Sequence, residues 1–524
     1  MSANIQALHL PFGTILDPVY AAPDSDQIVG YTRCGDSAIW TGHYLAAEAF
    51  RYKVTQSPDA FSNIQKAIAG IKSLADVTGT NLMARCIVYA DSPFAAGIAS
   101  EEAHNGIHMA SPWFWVGNTS RDQYSGVIFG LAVAYDMVDD AATKSSISDL
   151  VTRLVRFLTG HNWSVVMPDG NSSTSFLTRP DQILAFVQVG RHVNPHQFNF
   201  YYDEQRIFLG DTGIVLIPTG VDVTSNDSYF KFNLDYINFY NLVRLESSST
   251  NAIYEKAYSI VRNHTTGHQN AFFDSIDRAL EGPDAARDAE MPALLDQWLQ
   301  RPSRDPYVDL TNMVPVCGSE ACDPIPVPLR IPTDFLWQRD PFQLTGGSQG
   351  TIETSGIDYI LPYWMGRYYG VIPACTAPLG ANPEPEGSAS SGAPTLLSAD
   401  GTGTGAAAAA TYSTQANPLW RSTAPSYQCD ASGCADTPIN LAVATPVYLS
   451  LYGTGIRNRS SLSDVVVLIN GISAPVVYAG LEAGCGGLDR VDVALTSNLQ
   501  GSGESSVALT VDGQTANIVT VNIQ

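Results

Sequence analysis

The chain has 524 residues, 45% of them hydrophobic, and 28 Lys and Arg against 51 Asp and Glu give a net charge of −23. That length exceeds one ordinary domain and is ample for a large core. An acidic chain without a Lys/Arg cluster argues against nucleic acid and anionic membranes as partners, and no apolar run approaches the roughly 18–20 residues that span a bilayer.

From residue 36 to 369 the pattern is helix after helix. Residues 36–52 place Ile39, Trp40, Tyr44, Leu45, Ala47 and Phe50 at helical spacing, and 57–78 does the same with Ile64, Ile68, Ile71 and Leu74. Residues 91–119 read as a long loop rich in Trp, Tyr, Asp, Asn and His, the kind of segment that carries function in a compact domain. Ser120-Arg121-Asp122-Gln123 fits a capping box opening a helix over 120–137. Further helices are predicted over 144–159, 180–189, 235–246, 252–264, 270–280, 291–299 and 356–369. The best strand-like run in this half is 213–218. Helices in alternating pairs, with no repeat of fixed length, predict a mainly α fold over 1–372, an (α/α) toroid rather than a solenoid.

Residues 373–395 are rich in Pro, Gly, Ser and Ala, as in Pro383-Glu384-Pro385-Glu386-Gly387-Ser388, and read as a linker. Residues 396–524 change character. β-rich runs at 447–452, 465–469, 474–478, 491–495, 507–511 and 518–523 are punctuated by Asn470-Gly471, Gly501-Ser502-Gly503 and Asp512-Gly513. That spacing predicts a small all-β sandwich. No Lys occurs from Leu396 onward.

Of the eight cysteines, Cys317 and Cys322, and Cys429 and Cys434, form tight Cys-x4-Cys loops. These predict small disulfides in an oxidising compartment, with a metal knuckle as the alternative. Cys34, Cys86, Cys375 and Cys485 cannot be paired from sequence.

Several strings in the tail carry a resemblance. Leu451-Tyr452-Gly453-Thr454-Gly455-Ile456-Arg457, Tyr478-Ala479-Gly480 with Gly487-Leu488-Asp489, Asp512-Gly513-Gln514-Thr515-Ala516-Asn517 and the lead-in Ala399-Asp400-Gly401-Thr402-Gly403-Thr404-Gly405 resemble a C-terminal Ig-like domain of exported Solibacter-type acidobacterial proteins. The resemblance covers the last quarter of the chain. It implies a secreted or cell-surface protein and an accessory role in surface or glycan contact. Met1-Ser2-Ala3-Asn4 shows no basic or apolar leader, so an exported form is expected to have had its signal removed or replaced.

The N-terminal part resembles, in architectural style, the (α/α)6-toroid glycosidases and polysaccharide lyases. The residues behind this are Gly35-Asp36-Ser37-Ala38-Ile39-Trp40-Thr41-Gly42, Ser120-Arg121-Asp122-Gln123-Tyr124-Ser125-Gly126, Trp337-Gln338-Arg339-Asp340-Pro341 and Asp358-Tyr359-Ile360-Leu361-Pro362-Tyr363-Trp364. No diagnostic motif accompanies the likeness, so no catalytic residue is carried over from it.

Read from the residues alone, glycoside hydrolysis needs two carboxyl groups flanking the bond. Asp36 and Asp122 both stand at predicted helix starts, where the helix dipole also favours acids for purely structural reasons. Arg121 beside Asp122 favours its ionised form. Trp337, Arg339 and Asp340 form an aromatic–Arg–Asp cluster suited to a sugar face and its hydroxyls, and Glu101 and Glu102 are further acids. Trp113 and Trp115, around Phe114, suit sugar stacking, and Gln123 suits hydrogen bonding to a sugar. His104 and His108, and His264 and His268, have the four-residue spacing of zinc ligands but lack the Glu of a His-Glu-x-x-His motif, so no metal and no cofactor is expected.

The expected function is therefore a secreted carbohydrate-active enzyme that hydrolyses a poly- or oligosaccharide. A polysaccharide lyase using Tyr124, His108 and Arg121 on a uronate glycan is the alternative enzyme. A non-catalytic glycan-binding or surface protein is the alternative from another class.

Overall fold

The structure is a computed structural model that describes residues 1–331, 335, 338–373, 393–413, 424–430, 433–443, 446–457, 459–482, 485 and 488–524. Two compact units form, Met1–Leu295 with Ser303–Val371, and Asp296–Pro302 with Ile372–Gln524.

The main helices of the first unit are α1 (Ser37–Thr55), α2 (Pro58–Asp76), α3 (Arg121–Met137), α4 (Ala141–Gly160), α5 (Pro180–Val193), α6 (Pro195–Gln205), α7 (Phe230–Leu245), α8 (Asn251–Thr265), α9 (Ala271–Glu281) and α10 (Ile357–Tyr368). They are of two kinds. Every residue from Ser37 to Arg51 in α1 is buried, as is every residue from Gln123 to Ala134 in α3 and from Phe232 to Val243 in α7. A helix buried all round must lie inside other helices. By contrast α2 buries one stripe, through Ala60, Ile64, Ala67, Ile71 and Leu74, and α4 one through Ile147, Val151, Leu154 and Leu158. The inner helices pack on one another: α1 on α3 and α10, α3 on α5 and α7, α5 on α7, α7 on α9, and α9, which buries one face through Phe272, Phe273 and Ile276, on α10. The striped helices cover them, with α2 on α1, α4 and α6 on α5, and α8 on α7.

Local chemistry sets the helix ends. Asp140 caps α4 by accepting the Thr143 N–H at 2.8 Å, and Asn270 caps α9 through the N–H groups of Phe272 and Phe273. Pro58, Pro180 and Pro195 occupy first-turn positions where their missing N–H costs nothing. The capping box expected at Ser120 does not form. Its hydroxyl instead accepts from Arg85 at 2.8 Å, and Gln123 reaches across to α1.

The contact between α1 and α3 depends on glycine. A Cβ on Gly42 would lie 2.0 Å from the Gly126 carbonyl oxygen, and one on Gly130 would lie 2.2 Å from the Gly42 oxygen. The two backbones therefore touch directly. Ile39 meets Gly126 and Gly42 meets Gly130, so contacts advance together along both helices. The helices run parallel, and their N-termini lie at the same end.

Two sequence expectations are corrected. Residues 213–218 are not a strand: Val215 precedes the helix Leu216–Asp222. A short apolar run does not distinguish helix from strand, and Pro218 fits a first helical turn. Nor are residues 91–119 one loop. They hold a helix (Ala95–Glu101), and with β1 (Cys86–Tyr89) they form a three-stranded antiparallel sheet from β2 (Ile107–Ala110) and β3 (Trp113–Val116), in order β1-β3-β2.

In the second unit the main strands are β4 (Ala409–Ser413), β5 (Val447–Thr454), β6 (Val465–Ile469), β7 (Val476–Leu481), β8 (Asp489–Leu495), β9 (Gly503–Val511) and β10 (Val519–Ile523). One sheet contains β4-β5-β8-β7 and the other β10-β9-β6. Their inward residues share one core, with Leu449, Leu451, Val491 and Val493 from the first sheet and Val467, Ile469, Val507, Leu509, Val519 and Val521 from the second. The alternation of buried and more exposed residues along β6 and β10 is the period-2 pattern of a half-buried strand. Asn470-Gly471 turns β6 into Ile472–Ala474 with both residues at positive φ, as the tight hairpin requires.

The strings singled out in the tail form two clamps. Asp489, fully buried, accepts from the backbone N–H of Ile456 (2.7 Å) and Arg457 (3.1 Å) and pairs with the Arg457 guanidinium. The Asn517 carboxamide bonds both the N–H and the C=O of Leu396 at 2.8 Å, tying the lead-in strand to the end of the chain.

Disulfides join Cys317 to Cys322 and Cys429 to Cys434, and also Cys34 to Cys86 across 52 residues. Cys375 and most of the 373–395 linker lie outside the described residues. Among the described residues no helix is long and apolar enough to cross a membrane.

Candidate functional site

Asp36 and Asp122 come together. Asp36 precedes α1, at the end of the short turn Cys34–Asp36, and Asp122 is the second residue of α3. Because the two helices are parallel and touch through glycine, their starts lie side by side. Gln123, fully buried, links them. Its Oε1 accepts the Ile39 N–H at 3.0 Å, which leaves its NH2 facing the acids. Nε2 donates to Asp36 Oδ1 at 3.1 Å and stands 3.5 Å from Asp122 Oδ2. The sum of these distances places the two carboxylate oxygens no more than 6.6 Å apart. Both side chains remain partly open to solvent; that of Asp36 is 37% exposed.

The surroundings hold this end rigidly. Arg85 donates to the carbonyls of Gly35 (2.7 Å) and Asn118 (2.9 Å) and to Ser120 Oγ, and its Nη1 lies 3.8 Å from Asp36 Oδ1. The Cys34–Cys86 bond ties the same turn to β1. Glu102 is buried and accepts the Gly35 N–H at 2.7 Å and the Asn105 amide. Glu101 accepts from Thr32 and Arg33. The acids expected in an open loop thus brace the turn that presents Asp36.

Arg121 is half-buried and donates to the Ser175 carbonyl at 3.2 Å rather than to Asp122. Burial, then the neighbouring Arg179, lowers its guanidinium from the ordinary value, against the pull of Asp181, Asp122 and Asp222. Next to it lies a cluster that sequence reasoning missed. Arg179 pairs with Asp181 (2.8 Å), Asp222 (2.5 Å) and Asp235 (2.7 Å). Asp235 is fully buried, and burial holds its carboxyl well above the ordinary value despite Arg179, with Asp222 and Asp181 adding to the rise. Only Arg179 and Asp181 are close in sequence, so no local pattern announced the group.

The other expected site residues lie elsewhere. Tyr124 is fully buried, its hydroxyl accepts the Met83 N–H at 3.2 Å, and burial pushes the phenol well above its ordinary value. It packs in the core behind Asp122, because two residues further along a helix turns a side chain by about 200°. Trp115 is 3% exposed and stacks on His108, with ring centres 4.1 Å apart. Trp113 is partly exposed, sits edge-on to Tyr89, and lines a shallow cavity of about 360 Å³ with Phe12, Ile87 and Ala110. Asp340 accepts the Phe342 N–H at 2.9 Å; burial raises its carboxyl, and its charged neighbours are Glu320, Asp227 and Arg330. Arg339 bonds Gln343 at 3.1 Å. Trp337 lies outside the described residues.

The histidines of each pair have separate partners or settings. His104 is in a short helical turn and His108 in β2. His264 faces Asn226 and His268 faces Tyr229. Among the described residues no group of three or more His, Cys, Asp or Glu is arranged to hold a metal.

No family model, curated protein or solved structure matches this chain.

Proposed function

We propose that the protein is a secreted glycoside hydrolase acting on a poly- or oligosaccharide, with Asp36 and Asp122 as its paired carboxyl groups. The observation that carries this reading is the single Gln123 amide facing both acids at the aligned starts of α1 and α3. A separation of at most 6.6 Å between one oxygen of each acid brings two carboxyl groups to one place, as cleavage of a glycosidic bond requires. Asp36, hydrogen-bonded by Gln123 and close to Arg85, takes the carboxylate role. The other role, protonating the leaving oxygen and later activating water, falls to the second acid of the pair, Asp122.

The wider architecture supports the same reading. Inner helices that each pack on the next, α1 through α3, α5, α7, α9, α10 and back to α1, are what an (α/α) toroid contains, and its functional face would be the end where α1 and α3 start. The sandwich of the second unit would be an Ig-like accessory domain that contacts cell surface or glycan. Disulfides and the absence, among the described residues, of a membrane-crossing helix agree with an extracellular setting.

The test is a screen of the purified protein on neutral and uronate polysaccharides, reading new reducing ends and ultraviolet absorbance together. Reducing ends without absorbance, abolished in Asp36→Asn and Asp122→Asn while melting is unchanged, would support the proposal. Absorbance would indicate a lyase, and retention on a glycan without turnover would indicate a binding protein. Either outcome would overturn the hydrolase.

A further inference from the structure

A short strap, residues 83–86, is bonded to both acid-bearing helix starts. Toward α1, the Arg85 carbonyl accepts the Ala38 N–H at 3.0 Å, the Arg85 guanidinium donates to the Gly35 carbonyl at 2.7 Å, and Cys86 is disulfide-bonded to Cys34. Toward α3, the Arg85 N–H donates to the Val116 carbonyl at 3.0 Å, the Met83 N–H donates to the Tyr124 hydroxyl at 3.2 Å, and the Met83 carbonyl accepts from Thr119 Oγ1 at 2.6 Å. The strap is itself anchored: Met83, Ala84 and Cys86 are fully buried, and the Ala84 N–H donates to the Leu74 carbonyl of α2 at 2.9 Å.

One side chain of the strap reaches both turns at once. Arg85 uses Nη1 on the Gly35 carbonyl, in the peptide that leads into Asp36. It uses Nε on the Asn118 carbonyl (2.9 Å) and Nη2 on Ser120 Oγ (2.8 Å), just ahead of Asp122. A rigid fork with each nitrogen on a different oxygen sets the spacing between the turns, which a lysine ammonium on a flexible stem could not do. The glycine contact cannot replace it, because Gly42, Gly126 and Gly130 fix the helix bodies and lie beyond the turns that carry the acids. We propose that Arg85 is a positioning residue that holds Asp36 and Asp122 in register, a role that rests on the hydrolase reading of that pair.

In this role Arg85 acts through the two acids. Its loss leaves both carboxyl groups present but lets their separation vary. That affects the step in which both act together more than it affects substrate binding. A misplacement of about 1 Å lowers a rate by roughly a hundredfold, so kcat should fall by about that factor while KM stays within about twofold. Simple destabilisation would instead lower the folded fraction, which thermal melting reads separately.

The experiment compares the full wild-type chain with Arg85→Lys and Arg85→Ala, each below its melting transition, on a polysaccharide that the wild type cleaves. Both variants should lose kcat at nearly constant KM, and methylguanidine, which can refill the fork, should restore part of the loss in Arg85→Ala. Full activity in Arg85→Lys, or a rise in KM at unchanged kcat, would overturn the proposal. Hydrogen exchange read by mass spectrometry is an arm that needs no turnover. In both variants residues 33–40 and 117–124 should exchange faster together while 141–160 stay unchanged; acceleration in one of the two segments alone, or in neither, would overturn the proposal. Should Arg85→Ala fail to fold, Arg85→Lys carries both arms. A wild type that cleaves no polysaccharide overturns the hydrolase reading and the part of Arg85 in it, whereas uncoupled exchange overturns the positioning alone, so the two failures are distinguishable.

Discussion

Gly130→Ala tests whether the glycine contact between α1 and α3 sets the geometry of the acid pair. The new methyl carbon would start 2.2 Å from the Gly42 oxygen, 2.8 Å from its carbonyl carbon and 2.9 Å from its Cα. All three are backbone atoms in helices, so no side chain can rotate away. To reach an ordinary contact of 3.4 Å the helices must separate locally by 1.2 Å, the difference between the two distances. The intrinsic preference of Ala for helix returns about 1 kcal/mol, whereas overpacking a dense core costs about 1–3 kcal/mol and sometimes more. Because the clash is with rigid backbone, the upper end of that cost applies, and the net expectation is a loss of about 2 kcal/mol, or a few degrees in Tm. The same movement stretches the 3.1 Å bond from Gln123 to Asp36, so any hydrolytic activity should fall further than stability does. Thermal melting followed by circular dichroism, together with a reducing-end assay, would read both effects. A variant that melts at the same temperature or higher, with activity intact, would refute the close approach and the positioning argument with it.

Other outcomes follow from buried polar groups. Burial alone would lower His9, but the Asp17 and Glu353 carboxylates outweigh it and lift the imidazole to about 9. Because the folded value lies above the unfolded one, the stabilisation of about 3 kcal/mol is complete below about pH 6.5 and is lost as pH rises through about 9; a melting series in wild type and His9→Gln should show the alkaline loss only in the former. Replacing Cys34 and Cys86 by Ser opens a 52-residue closure and should cost about 3–4 kcal/mol, read by denaturant unfolding, with the Asp36 turn becoming more susceptible to proteolysis. Asp489→Ala leaves the Ile456 and Arg457 N–H groups and a guanidinium without their acceptor. It should lower the melting temperature of the C-terminal sandwich, at a cost of about 3 kcal/mol, while leaving chemistry at Asp36 and Asp122 unchanged.

The helices were readable wherever burial was one-sided. The stripe through Ile64, Ile68, Ile71 and Leu74 is a periodic signal, and α2 formed as expected. The β tail was readable because alternation, Asn-Gly and Asp-Gly turns are all local. The all-buried helices were found too, but their apolar residues show no preferred face, so nothing in 37–51 says which neighbour lies on which side. The segment 91–119 was misread because its aromatics pack inward: Phe114 and Trp115 are 4% and 3% exposed, and a polar-looking stretch with Gly and Pro gives no period to detect.

Local chemistry, then, determined element type, the helical and β halves, and two of the disulfides, because each depends on residues within a few positions of one another. The sequence also placed Asp36 and Asp122 at helix starts, since acids there are stabilised by the first-turn N–H groups. Only the tertiary structure decided that these two starts are neighbours. That follows from Gly42, Gly126 and Gly130 permitting backbone contact between residues more than eighty positions apart in the chain. It also decided that Gln123 faces both acids and that Tyr124 and Trp115 turn into the core. Each of these depends on long-range packing, and a one-dimensional pattern holds no record of it.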